Sequence, residues 1–471
     1  METTQNYKQS TIVALLLAGT FIAILNQTLM ITAIPPIMEE MNITANSAQW
    51  LTTVFMLVNG IMIPVSAFLL ERFTTRQLFI SAMSVFALGT LVAGLAPNFE
   101  MLLMGRVIQS SGAGVMLPLM QTVFLMIFPV NKRGSAMGLV GLVISFAPAI
   151  GPALSGWVTS HYSWRVLFFI ILPIAIIDII VAFFALKNVT ETAKTKVDVL
   201  SIILSSFGFG GLLYGFTCAG NQGWTAASTL LWLTIGVISL LFFITRQLRL
   251  TQPMLEFRVF ANSIFPLTVI IGMITFMGLI GAETIIPLFM QNMRDFTAFE
   301  AGLALLPGAL ITGLLSPITG RLFDKFGARW LAFTGLMIIT GSSFAFASLS
   351  PSTSFTFITV MYGVRMLGLA MVMMPVATAG LNRLPKRLIP HGAAMDNTMK
   401  MIAASVGTAI LVTVMTTTAE TAAQNPEISY PDMYGANMAF IVVSVLSLIG
   451  LIISFFIKER KKEEETPSEQ N

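Results

Sequence analysis

The sequence predicts an all-α polytopic membrane protein with fourteen transmembrane helices, disposed as two six-helix halves with two further helices inserted between them. Three observations predict it. Hydrophobic residues make up 55% of the chain and charged residues only 10%, against roughly 25% charged in soluble domains. Apolar stretches of the roughly 20 residues that a helix needs to cross a bilayer recur fourteen times. They fall at about residues 11–34, 50–70, 77–96, 101–128, 134–158, 165–187, 198–219, 226–246, 263–291, 300–320, 328–349, 354–381, 391–416 and 434–457. Third, a short charged motif stands between two such stretches in each half. The later copy carries Gly320, Leu322, Asp324, Lys325, Gly327 and Arg329; in the earlier one Ala67, Leu69, Glu71, Arg72 and Arg76 stand at matching places.

Taken in order, stretch 1 is longer than a signal-peptide core and precedes no convincing cleavage site, so it reads as a retained helix. The loops then set the orientation. Twenty-one of the 26 Lys and Arg fall on the side that holds both termini, only Arg165 and Arg294 on the other, and Arg106, Arg365 and Lys400 within spans. By the positive-inside rule both termini are cytoplasmic, and the opposite loops collect acids such as Glu39, Glu40, Glu420 and Asp432. Equating stretches 1–6 with 9–14 divides the chain into 1–187, a connector and inserted pair at 188–262, 263–457, and a charged tail at 458–471. The two charged motifs then match, as do Arg106 in stretch 4 and Arg365 in stretch 12. Trp50, Trp157, Trp164 and Trp224 sit near outer helix ends, where interfacial rings belong. His161 and His391, near helix ends, read as interfacial, and Asn42, Ile43 and Thr44 form a weak glycosylation sequon.

Other chemistries find little support. Cys218 is the only cysteine and there are two histidines, so no internal disulfide and no His/Cys metal cluster is expected. No phosphate-binding glycine loop, no cofactor motif and no nucleic-acid-binding patch is present. The expected partners are the lipid bilayer, protons and small lipophilic molecules.

The paired charged loops resemble the loop signature of the major facilitator superfamily, in which glycines permit a tight turn, a carboxylate sits near a helix start and cations face the headgroups. The resemblance implies parallel repeats with substrate bound between them near the midplane. It also implies gating roles for Glu71, Arg72, Arg76, Gly320, Asp324, Lys325, Gly327 and Arg329, with Asp324 expected near the start of the eleventh helix. Gly105, Arg106, Gln109 and Gly112 resemble the helix-4 motif of proton-linked members, although Ser110 stands where glycine is usual. An arginine within a span costs about 2.5–3.5 kcal/mol on insertion scales unless paired or hydrated; Arg106 either couples protons or braces a helix interface. Gly151, Pro152 and Gly156 resemble the helix-5 motif of exporters, with Ala147 and Ser155 replacing two glycines; small residues and a proline there allow close packing and a pivot.

With Asn26, Gln27 and Thr28 ahead of Pro35, and Trp164 and Arg165 ahead of Pro173, the chain most resembles the fourteen-span drug:proton antiporter family and its lincomycin-resistance-type multidrug exporters. That family usually has an aspartate at the place of Asn26, and asparagine does not titrate. The acids well inside spans are Glu283 and Asp178. Each has apolar neighbours, where an ionised carboxylate is costly, and each is a proton carrier or a structurally paired acid. Asp396 and Lys400, four residues apart, fit a helix-face pair. Asn26, Gln27, Glu283, Phe276 and Met277 are the expected substrate-cavity residues. The resemblance implies proton-coupled efflux of drug-like compounds, with lincosamides among the candidates, from a bacterial cell membrane. A dedicated exporter of one endogenous metabolite or lipid fits the same residues, whereas the helix-5 motif stands against an uptake facilitator.

Overall fold

Apolar side chains all round, rather than along one stripe, are what a helix needs in lipid, where every backbone N–H and C=O must be satisfied within the segment. The computed structural model describes residues 9–457 except 190–191 and 193–196. The expected charged tail at 458–471 and much of the polar connector lie outside the described residues. Within them the chain forms fourteen α-helices: α1 (Gln9–Met41), α2 (Ala45–Arg72), α3 (Thr75–Gly94), α4 (Phe99–Ile127), α5 (Arg133–His161), α6 (Arg165–Ala185), α7 (Val199–Gln222), α8 (Ala227–Arg249), α9 (Phe265–Leu288), α10 (Ala298–Phe326), α11 (Ala328–Phe346), α12 (Phe355–Leu381), α13 (Ile389–Ala423) and α14 (Pro431–Ser454).

Thirteen of these segments are long and apolar enough to cross a membrane. The exception is α11, only 19 residues long, whose Arg329 and the run Thr340, Gly341, Ser342 and Ser343 dilute its apolar character. It packs against α12 and α14 instead of relying on its own hydropathy. Other helices overrun the sequence-based limits. The first passes through Pro35 and Pro36 to Met41, and Asn42, at φ +50°, turns the chain before Thr44 caps α2 by accepting from Ser47 N–H.

Apart from α5 and α10, helices α1 to α6 pack mainly on one another, as do α9 to α14. The two groups meet through α5 against α10 and α2 against α13, while α7 lies on α8, α2 and α13. We call the end of the bundle with the α2–α3 and α10–α11 turns the basic end. There the apolar core of the first group runs without a break into Phe265, Leu381, Ile389 and Met395. A separate core around Phe289, Phe346 and Phe440 holds the other, far end of the last six helices. The groups are therefore joined at the basic end.

At the far end Glu40 fastens the overrun of α1. Its carboxylate accepts from Arg165 Nη1 and, at 2.7 Å, from Trp164 Nε1, while Arg165 Nη2 donates to Ala96 O at 2.9 Å. The Arg165 hydrogen bond holds the Glu40 carboxyl below the usual range, against a smaller upward push from burial. A carboxyl lowered on folding contributes stability above its unfolded pKa, near 4.3 for Glu, and loses it as pH falls through the folded value. Glu40 is 46% exposed, so the contribution is at most about 1 kcal/mol. Glu40→Gln should lower thermal stability in detergent slightly at pH 7, and the gap to the parent protein should close on acidification; a gap independent of pH would show that the ion pair contributes nothing.

Candidate functional site

The basic end is closed by hydrogen bonds that cross between the groups. Asp324, in the last turn of α10, accepts from Gly134 N at 2.7 Å, Ser135 N at 2.8 Å and Ser135 Oγ at 2.6 Å. These amides open α5, where the first turn leaves N–H groups without intrahelical partners and the helix dipole favours an anion. The expected helix start was that of α11; the structure presents α5 instead. Such an approach needs glycine: a Cβ on Gly138 would stand 2.6 Å from Ser316 O, and Gly134 and Gly320 lie backbone to backbone. Arg133 Nη1 donates to Asn382 Oδ1 at 2.9 Å, and Asn397 Nδ2 to Gln121 Oε1 at 2.6 Å.

The earlier charged motif makes a second clasp. Glu71, at the end of α2, lies 2.8 Å from His391 Nε2 at the start of α13, and His391 Nδ1 accepts from Glu256 N–H at 3.3 Å. That acceptor role puts the ring proton on Nε2, toward Glu71. The interfacial reading of His391 is thereby corrected: the ring is 3% exposed and engaged on both nitrogens. His161 does sit exposed at the far rim beside Trp157. Gly327, at φ +80°, ends α10 and starts α11 in a conformation that favours glycine. Its earlier counterpart, Thr74, turns without a positive φ by forming a capping box with Gln77. Arg76 donates to Phe183 O and lies over the Phe183 ring; Arg72 lies near Phe68 and Phe73. Lys325 and Arg329 are exposed.

Deeper in the first group, Arg106 is fully buried. Its Nη1 donates to Asn26 Oδ1 at 2.6 Å and Gln109 Oε1 at 2.7 Å, its Nε to Leu51 O at 3.2 Å, and it lies over the Phe55 ring. Nη2 has no hydrogen-bond partner. Asn26 is thus committed to a buried arginine, not to open space. Gln27 and Thr28 of α1 join Gln49, Thr52 and Met56 of α2 around a cavity of about 400 Å³. Gly151 of α5 presses on Thr28, Pro152 is half-buried, and Gly156 faces open space.

In the last group, Glu283 of α9 is an exposed residue whose carboxylate lies toward Tyr362 of α12. Tyr362 Oη lies 3.5 Å from Glu283 Oε1, a long contact, and Arg365 is close enough to act on the carboxylate electrostatically. Arg365 itself donates to Gly278 O at 2.7 Å and to Ser343 Oγ. Met277 packs over Gly407 of α13, and Phe276 is half-buried. Asp178 is elsewhere: it is buried against Gly19 of α1, Phe79 and Met116, with Oδ2 unpartnered. Asp396 and Lys400 form a buried pair at 2.6 Å.

Two helical groups joined at one end, with a cavity lined by α1 and α2 and an accessible carboxylate on α9, have the build of a membrane carrier. The family model of the Major Facilitator Superfamily matches residues 16–408, and the chain belongs to that family of transporters. It is 56% identical over 464 residues to the uncharacterized MFS-type transporter YcnB of Bacillus subtilis, covering 98% of this chain and 97% of that one. It is 42% identical over 467 residues to the lincomycin resistance protein LmrB of the same organism, covering 97% of each. The human organic anion transporter MFSD10 (TETRAN) shares its fold, with a TM-score of 0.69 at 13% identity over 94% of this chain and 99% of that one.

Removing the Asp324 charge should loosen the basic end. Charge-assisted bonds contribute roughly 1.5–3 kcal/mol each and asparagine keeps part of them, so a loss of about 1–2 kcal/mol, or five- to thirtyfold in equilibrium, is expected for Asp324→Asn. With Cys218 replaced by serine, a cysteine at Ser316, buried between α10 and α5, should then react several-fold faster with a maleimide. An unchanged rate would mean that Asp324 does not hold this end shut.

Proposed function

We propose that this protein exports lipophilic, drug-like molecules by alternating access, driven by proton re-entry, with the basic end in the cytoplasm. The observation that carries the reading is Glu283, an accessible carboxylate within a span that lies beside Tyr362 and Arg365. Intramembrane acids are costly and mark ion pathways. The 42% identity to a protein named for lincomycin resistance supports drug-like substrates, lincosamides included.

In this orientation the structure corresponds to the outward-facing state, closed at the cytoplasmic end by Asp324 and Glu71. A proton arriving from outside neutralises Glu283. With the cytoplasmic clasps released and the far end shut, an arriving cationic molecule favours the ionised carboxylate, and the proton leaves as the drug binds. Competition for one group makes drug and proton affinities reciprocal. Each proton that crosses with the membrane potential supplies about 2.3 kcal/mol per 100 mV. Arg365, bonded to Gly278 O and Ser343, is placed to steady the ionised state. Arg106 has Asn26 for a partner and no carboxylate, so it braces α1 and α2 and takes no proton. Asp178, closed off within the first group, is the alternative carrier.

Drug-evoked proton release from detergent-solubilised protein tests the coupling. Glu283→Gln should abolish the release while leaving binding of some substrates, and Asp178→Asn should keep it; full release from the Glu283 variant would sink the assignment. Orientation has its own check. Cysteines in the 420–432 loop should react with impermeant thiol reagents from outside the cell and one at Lys386 should not, in a background lacking Cys218.

A further inference from the structure

The role of the inserted pair follows from where α7 lies. At the basic end α2 and α13 meet directly, through Glu71 and His391, and at mid-height Gly60 of α2 faces both Met401 of α13 and Leu213 of α7. From there toward the far end α7 lies against both. On one side Leu213 packs onto Gly60 and Gly210 onto Ile61, both of α2, and Tyr214 lies 5.5 Å from Trp50 between ring centroids. On the other, Gly220 lies 3.7 Å from Ala409 Cα, reckoned from the position of a Cβ, and Trp224 Nε1 donates to Thr413 Oγ1 of α13 at 2.7 Å. Helix α7 and the turn that follows it thus touch both groups from mid-height to the far end.

Among the described residues the opposite flank has no such filler. There α5 and α10 are in contact from Gly134 and Gly320 up to Phe146 and Gly313. Continuing the same antiparallel register brings Gly156 level with Gly302, and a Cβ on either would meet nothing within 4 Å. The neighbouring side chains Trp157, Phe299 and Leu303 are exposed and apolar.

We propose that α7 is the lateral wall of the transport cavity: in the observed state it shuts the α2–α13 flank to the lipid phase, so that a lipophilic molecule leaving the cavity for the bilayer passes α5 and α10 alone. The proposal rests on the export reading for its substrate, a lipophilic molecule in the membrane. The wall itself is a matter of geometry. A substrate released on this route leaves the polar side chains Gln27, Gln49 and Thr52 and passes the apolar ones last.

The test uses full-length protein with Cys218 replaced by serine, in phosphatidylcholine nanodiscs, with nitroxide labels at Val54, on the stripe of α2 that faces α7, and at Gly302. Collision with oxygen, which concentrates in lipid, should be at least threefold lower at Val54 than at Gly302. The double variant Leu213→Ala/Trp224→Ala, which strips α7 and the turn after it of contacts on both sides, should bring Val54 up toward the Gly302 value. Equal oxygen access at the two sites in the parent protein overturns the wall. For the route, Gly302→Trp should slow rhodamine 6G transport in proteoliposomes about fivefold while leaving dye binding in detergent unchanged; undiminished transport overturns it. Absence of rhodamine transport by the parent protein would count against the substrate route and the export reading, whereas the oxygen measurement decides the wall independently.

Discussion

The bond from Asp324 to the first amides of α5 is the contact on which the observed state depends. It joins a side chain in the last turn of one helix to backbone donors 190 residues away, and it does so at the only part of an α-helix where N–H groups lack intrahelical partners. Nothing in lipid drives apolar helices together, since the tails are as apolar as leucine. The two groups therefore need polar or close-packed contacts to choose one arrangement. Asp324 supplies the polar part, and Gly134, Gly138 and Gly320 let the backbones come near enough for it to form.

The same constraint governs the buried charges, which are satisfied in different ways. Arg106 relies on amide oxygens from Asn26 and Gln109, a carbonyl and the face of Phe55. Arg365 relies on a carbonyl and a hydroxyl. Lys400 has Asp396 one turn away. The first two networks occupy related places in α4 and α12, yet only the second lies beside an acid. Neighbouring Tyr362 and Arg365, Glu283 is the acid that combines open access with nearby partners able to respond to its charge.

Much of this was legible in the sequence because membrane spans and loop charges are local signals. Fourteen apolar runs gave fourteen helices, and the repeat around Glu71 and Asp324 identified two helix ends that face a common problem. What the sequence hid were the partners. The groups answering Asp324 are mainly backbone amides at Gly134 and Ser135, which carry no compositional mark. His391 is 320 positions from Glu71, so its nearness to a helix end suggested an interface with headgroups. Polar residues dilute the α11 span, which packs on α12 and α14 all the same, and α1 runs on past its second proline to Glu40, which Trp164 and Arg165 hold. In each case tertiary contact overrode a local rule.

The two clasps have a consequence for how such a chain is put together. One motif ends α2 and is met by the start of α13; the other ends α10 and is met by the start of α5. Each motif-bearing helix is followed, three helices later, by the helix that receives the other motif. The pattern is that of an isologous contact, in which one patch on each of two like bodies meets the reciprocal patch on the other. A single polypeptide has here the interface of a two-fold dimer, so that the two ends of the sequence specify each other and neither contains both members of a clasp.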